Sequence, residues 1–173
     1  DPAMRFAAPS STIALEKIND ESVTNSSMPE IKARQDITLK GSLFNPKGEK
    51  MNDFNGILTA TIYDAEKNTV SNGYGEGEKI SFDEPGGKLY IGRDSVINGE
   101  FEMNVSMPSE ISNENYHQAT ISMYAYNNNN EAVGCNRNFY IWGFDETALD
   151  DNESPIISAF FLNHETFKSG DKV

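Results

Sequence analysis

The sequence predicts an all-β fold, an antiparallel β-sandwich of immunoglobulin or fibronectin type. Three observations carry this. Seven or more stretches of strand length have apolar or β-branched residues in a period of two or in short continuous runs. Turn-forming residues stand between these stretches, and none of them sustains the 3.6-residue period of an amphipathic helix.

Taken in order, residues 12–18 are a first strand candidate, followed by alternation at Ile37, Leu39, Gly41 and Leu43. Residues 57–63 are apolar or β-branched at almost every position, as in a central strand, and residues 79–82 are a shorter candidate. The clearest stretch is 100–107, where Phe101, Met103, Val105 and Met107 alternate with Glu100, Glu102, Asn104 and Ser106. Asn98-Gly99 before it tolerates the positive φ of a tight type I′ turn, so residues 88–97 and 100–107 are expected to form a β-hairpin, ended by Pro108. Ala119, Ile121, Met123 and Ala125 mark another strand, and residues 138–142 and 156–162 are short apolar runs. The punctuation between these is Asn45-Pro46-Lys47-Gly48, Asn55-Gly56, Asn72-Gly73, Pro85-Gly86-Gly87 and the asparagines 127–130.

At 173 residues the chain has the size of one domain, or of one domain with pieces of its neighbours. The sandwich is placed at 31–144. Residues 1–30 are assigned to a preceding unit and a polar linker at 20–27, residues 145–155 to an acidic linker, and residues 156–173 to the start of a following β module. The first nine residues lack both an initiating Met and a signal-peptide layout, which fits a processed product or a piece of a longer protein.

Charge narrows the partners. Fourteen Lys and Arg stand against 27 Asp and Glu, a net −13, which disfavours nucleic acid and anionic lipid surfaces. No apolar run approaches the roughly 18 residues of a membrane helix, so no membrane insertion is expected. One cysteine permits no internal disulfide, and with only His117 and His164 beside it a zinc site of several Cys and His ligands cannot be assembled. No cofactor is expected.

Four constellations invite chemistry. Cys135 with His117 is the only thiol and base pair within the sandwich. A nucleophile also needs an oxyanion hole, and a small, partly buried side chain is the stronger reading. Gly73, Gly75 and Gly77 imitate a phosphate loop, but Glu76 and Glu78 accompany them and no Lys-Ser/Thr follows, so a strand-linking loop is favoured. Asp145, Glu146, Asp150, Asp151 and Glu153 offer hard oxygen ligands to calcium, yet their spacing matches no EF-hand, and a solvated linker is favoured. Tyr124 and Tyr126 share one strand face and, with Trp142, are candidates for a face that binds sugar or protein; aromatic strand residues more often pack as core.

Three regions, in order, resemble one family. Asp1-Pro2-Ala3-Met4-Arg5-Phe6 is similar to the segment that closes the peptidase domain of gingipain-type cysteine peptidases, a Gly-Asp-Pro-x-x-Arg stretch whose Gly is missing here. Ile31-Lys32-Ala33, Phe54-Asn55-Gly56, Asn98-Gly99-Glu100-Phe101 and Ile121-Ser122-Met123-Tyr124-Ala125 resemble the module after that peptidase in the PorU-like family of type IX secretion sortases. Ser154-Pro155-Ile156, Leu162-Asn163 and Phe167-Lys168-Ser169-Gly170-Asp171 resemble the opening of a further β module.

The resemblance implies that the catalytic His and Cys lie upstream of Asp1, that Cys135 does not inherit the nucleophile's role, and that this fragment is not itself an enzyme. It implies an exported, cell-surface or outer-membrane-associated parent that cleaves sorting domains from exported proteins and transfers them to a lipopolysaccharide anchor. The expected function is a structural and docking module. Its partners would be the upstream peptidase domain, packed on apolar residues at 57–63 and 139–142, and secretion-system proteins. The alternative is an extracellular module binding carbohydrate or peptide. In a Bacteroidetes-like lineage, Asp94-Ser95-Val96 also resembles an O-glycosylation acceptor at Ser95.

Overall fold

The computed structural model describes residues 9–72, 79–84, 86–111 and 117–148. These residues carry thirteen strands and no helix. The strands are β1 (Ser11–Ile18), β2 (Glu21–Ser22), β3 (Glu30–Ala33), β4 (Asp36–Phe44), β5 (Gly56–Tyr63), β6 (Lys67–Val70) and β7 (Ser81–Glu84). They continue as β8 (Lys88–Val96), β9 (Glu100–Ser106), β10 (His117–Gln118), β11 (Thr120–Tyr126), β12 (Glu131–Asn136) and β13 (Tyr140–Phe144).

Alternation in the sequence becomes burial in the fold. In β9, Phe101, Met103 and Val105 are buried while Glu100, Glu102, Asn104 and Ser106 are exposed. The same phase buries Ile37, Leu39 and Leu43 in β4, Leu58, Ala60 and Ile62 in β5, and Ile121, Met123 and Ala125 in β11. All of these belong to one apolar cluster, so the strands that carry them enclose a single core.

Eight strands make one long sheet in the order β8-β5-β11-β12-β1-β4-β9, with β2 added to β1. Strand β1 is where this sheet folds over. It runs parallel to β12 at Ser11 and Thr12 and antiparallel to β4 from Thr12 to Ile18, with a register shift between Leu15 and Lys17. A bulge of this kind bends a strand. The half β8-β5-β11-β12 and the half β1-β4-β9 thereby share their apolar faces, giving the expected all-β sandwich in a nearly closed form. A small sheet, β10-β13-β3, adds Ile31, Ala33, Phe139 and Ile141 to the buried residues, and β6 and β7 form a separate two-stranded ribbon.

The structure corrects the expectation in three places. The sheets are mixed rather than purely antiparallel, because β1 slots beside β12 and β3 beside β13 in the same direction. The Asn98-Gly99 turn exists, with φ of 52° and 72°, but the strands flanking it do not form a hairpin ladder. They share only the Ile97 to Glu100 bridge, after which β8 pairs with β5 and β9 with β4, at opposite ends of the sheet order. The turn docks elsewhere: the Gly99 N–H donates to the Phe54 carbonyl (2.8 Å), the Leu43 N–H donates to the Gly99 carbonyl (2.8 Å), and the Asn98 N–H donates to Asn55 Oδ1 (3.0 Å). These bonds pull the chain across from one half of the sandwich to the other.

Third, the boundary at Ile31 is not a break in the sheet, since β1 lies between β12 and β4. The stretch read as a linker at 20–27 contains β2 and a turn closed by the Thr24 N–H to the Ser27 carbonyl (2.9 Å) and the Ser27 N–H to Thr24 Oγ1 (3.0 Å). The segments expected to end a preceding domain at 1–8 and to open a following module at 156–173 lie outside the described residues.

Candidate functional site

The outer face of the half β8-β5-β11-β12 is a grid that the ladder registers define. Ser95, Ile57, Tyr126 and Glu131 form one row, Arg93, Thr59, Tyr124 and Val133 the next, and Ile91, Thr61, Ser122 and Cys135 the third. Side chains at these positions point away from the core because their neighbours Leu58, Ala60, Ile121, Met123 and Ala125 point into it. Ile57 (41 %), Ile91 (64 %), Tyr124 (38 %) and Val133 (38 %) are exposed there. Tyr124 and Tyr126 stack on each other, ring centres 5.8 Å apart and planes 24° apart. Desolvation first, and then a hydrogen bond to and the charge of Glu131, push the Tyr124 phenol above its ordinary value. The reading of Tyr124 as core therefore does not hold within this chain.

Trp142 is not part of this platform. It lies on β13 in the small sheet, 43 % exposed, in the strand where Ile141 is fully buried. Phe144, 45 % exposed, follows two residues on and carries the Arg34 guanidinium 5.1 Å over its ring, a cation–π contact. Of the run at 139–142, Phe139 and Ile141 are consumed by the core.

The remaining candidates are dispersed. Cys135 is exposed on β12 rather than partly buried, and the residue opposite it is Ser122. His117 belongs to β10 in a different sheet, where its ladder partner is Ile141. The Asp145 carboxylate caps a turn, accepting the Thr147 N–H (2.9 Å) and hydroxyl (2.6 Å). Those bonds, with a smaller contribution from the Lys32 charge, hold its carboxyl below the usual carboxylate range against a partial desolvation. Glu146 is exposed beside it, while Asp150, Asp151 and Glu153 lie outside the described residues, as do Gly73, Gly75 and Gly77. Among the described residues no cluster of three or more metal-ligating side chains occurs. Ser95 is exposed on β8, with Asp94 Oδ1 accepting its backbone N–H (2.7 Å).

One cleft of about 510 Å³ opens beside the Asn98-Gly99 turn, lined among others by Glu16, Lys40, Ser42, Ser95, Glu100 and Glu102. Two of its acids are paired with lysines: Glu102 with Lys40 at 3.4 Å, and Glu100 with Lys50. Sequence reasoning missed Ile57, Ile91, Arg93 and Val133 as members of one face, and it missed the exposed Phe144. The signal for the first group was the phase of the alternation in β5, β8 and β12, which is visible only once the register is known.

No family model matches the chain, and no curated protein matches it. Among solved structures it matches the dimeric latent PorU from Porphyromonas gingivalis, with a TM-score of 0.73 and 29% sequence identity, over 100% of this chain and 16% of that one. The chain is PorU-like. Both the fold and the sequence of the whole chain find a counterpart in PorU, and the chain spans less than a fifth of PorU's length. No helix among the described residues is long and apolar enough to cross a membrane.

Proposed function

We propose that this chain is the non-catalytic β-sandwich module of a PorU-like, gingipain-type cysteine peptidase, a type IX secretion sortase, and that it supports and docks the peptidase domain of the same polypeptide. The observation that carries this reading is the match over the entire chain to a small part of a much longer protein. A module of that kind works by the surfaces it offers its neighbours. Trp142 and Phe144 on β13, with Arg34 in the turn after β3, are the residue types that anchor such contacts, since aromatic side chains and arginine bring large area at low entropic cost. Cys135 on β12 lies opposite Ser122, and His117 lies on β10 in another sheet, which favours a structural role for the thiol. The parent is accordingly exported and held at the cell surface, with secretion-system proteins as further partners. A carbohydrate platform is the weaker reading: it needs its rings on one surface, and Trp142 lies on a different sheet from Tyr124 and Tyr126.

The test is a parent protein with its catalytic pair intact but carrying Trp142→Ala and Phe144→Ala together. Maturation of exported substrates in cells should fall at least several-fold while the variant module still folds. Unchanged processing would overturn the docking role.

A further inference from the structure

We infer that the free edge of β7 takes up an extended peptide strand in which two cationic residues precede alternating apolar ones. A two-stranded ribbon is marginal in water and gains stability from a third strand or a packed face. Among the described residues neither β6 nor β7 pairs with either sheet of the sandwich, and all four residues of β7 are exposed. Large apolar side chains nonetheless collect here, with Val70, Ile80 and Phe82 all exposed. The ribbon holds its register by itself. Lys67 lies opposite Glu84, Asn68 opposite Asp83, Thr69 opposite Phe82 and Val70 opposite Ser81. Ser71 adds one more pair, its N–H donating to the Ile80 carbonyl (2.8 Å) and its hydroxyl accepting the Ile80 N–H (2.9 Å). Ile80, Phe82 and Glu84 therefore share one face of β7, while Ser81 and Asp83 share the other. On that second face Asn68 bonds both Asp83 (3.0 Å) and Ser81 (2.7 Å). The apolar pair Ile80 and Phe82 makes the edge of β7, rather than that of β6, the one that offers an apolar stripe beside open backbone groups.

Charge selects the occupant. Asp83 is held by the Asn68 amide and Glu84 by the Thr69 hydroxyl (3.2 Å), both uncharged donors, and among the described residues neither carboxylate is in an ion pair. A strand laid antiparallel along β7 meets Glu84, Asp83, Phe82, Ser81 and Ile80 in that order. Across neighbouring strands opposite charges attract, like charges repel, and aromatic residues pair with β-branched ones. The complementary sequence is then cation, cation, apolar, polar, apolar, as in Lys-Lys-Val-Thr-Val, with its main chain bonded to the open groups of β7. The same two carboxylates, on a chain of net charge −13, turn away an acidic strand.

The test uses the 173-residue chain alone, so its outcome does not depend on the proposed function. Titration with the end-blocked peptide Lys-Lys-Val-Thr-Val, followed by proton–nitrogen NMR, should shift the amide signals of β6 and β7 with a Kd on the order of 100 µM. A chain this acidic attracts any cation, so the control is Lys-Lys-Ser-Thr-Ser, which keeps the charge and loses the apolar pair. It should bind at least about tenfold more weakly, as should the first peptide to the Phe82→Ser variant. Asp83→Lys combined with Glu84→Lys should lose the lysine peptide and take up Glu-Glu-Val-Thr-Val instead, an exchange that also shows the ribbon still formed. Absence of binding, equal binding of the control peptide, or shifts confined to other strands would overturn the inference. So would a charge-reversed variant that takes up neither peptide.

Discussion

Gly99 is where the fold can be tested most sharply. Its φ is +72°, and a Cβ added there would be driven into the carbonyl oxygen of Met51. Gly48 has a φ of +82° and open space around its missing Cβ. The two positions therefore share the backbone penalty and differ in the steric one. Gly48→Ala should cost only the left-handed strain of an L-residue, about 1 kcal/mol. Gly99→Ala adds the displacement of the 51–55 segment, which lengthens the bonds from Gly99 to Phe54 and from Asn98 to Asn55 at about 1 kcal/mol each. The expected total is about 3 kcal/mol, a difference of about 2 kcal/mol between the variants. Urea unfolding followed by far-ultraviolet circular dichroism, with the slope held constant between variants, reads it directly. Equal costs at the two glycines would mean that the turn does not dock on the 51–55 segment, and the account of how the chain crosses the sandwich would fail.

Phe101, 4 % exposed, should cost about 3 to 5 kcal/mol as Phe101→Ala, whereas Glu100→Phe should cost little stability and promote aggregation; equal unfolding midpoints would mean the faces of β9 are misassigned. The Asp145 carboxyl, held below the usual aspartate range, favours the folded state above its unfolded pKa, and that contribution is lost as pH falls through the lower folded value. A carbon-13 titration should place its inflection below that of a free aspartate, and Thr147→Val should raise it; no movement would refute the capping role. The isolated chain should not hydrolyse peptides, and turnover that disappears in Cys135→Ala would assign that thiol a catalytic part.

Strand identity was legible in the sequence wherever one face is wet, as in β9 and β11, because period-two alternation records burial directly. Pairing was not. Asn98-Gly99 specifies a tight turn but not whether the strands beyond it stay together; that is settled by Phe54, Asn55 and Leu43, 43 to 56 residues away in sequence, which capture the turn's backbone groups. For the same reason β1 was legible as a strand and not as the link between the two halves, since parallel pairing of Ser11 with Ala132 leaves no local signature. Of the candidate binding residues, Tyr124 and Tyr126 were correctly placed on one face by their spacing. That Trp142 belongs to another sheet, and that Arg93 and Glu131 flank the tyrosines, required the register.

The central proposal is that this chain, as a module of a longer PorU-like polypeptide, stabilises the remainder by packing against it. The most direct measurement is the unfolding temperature of the parent's peptidase domain with and without residues 9–148, by differential scanning calorimetry at equal concentration. Inter-domain contacts typically bury about 600 to 1,500 Å² and stabilise both sides, so the truncated parent should melt at least several degrees lower. A peptidase domain that melts at the same temperature without this segment would contradict the account.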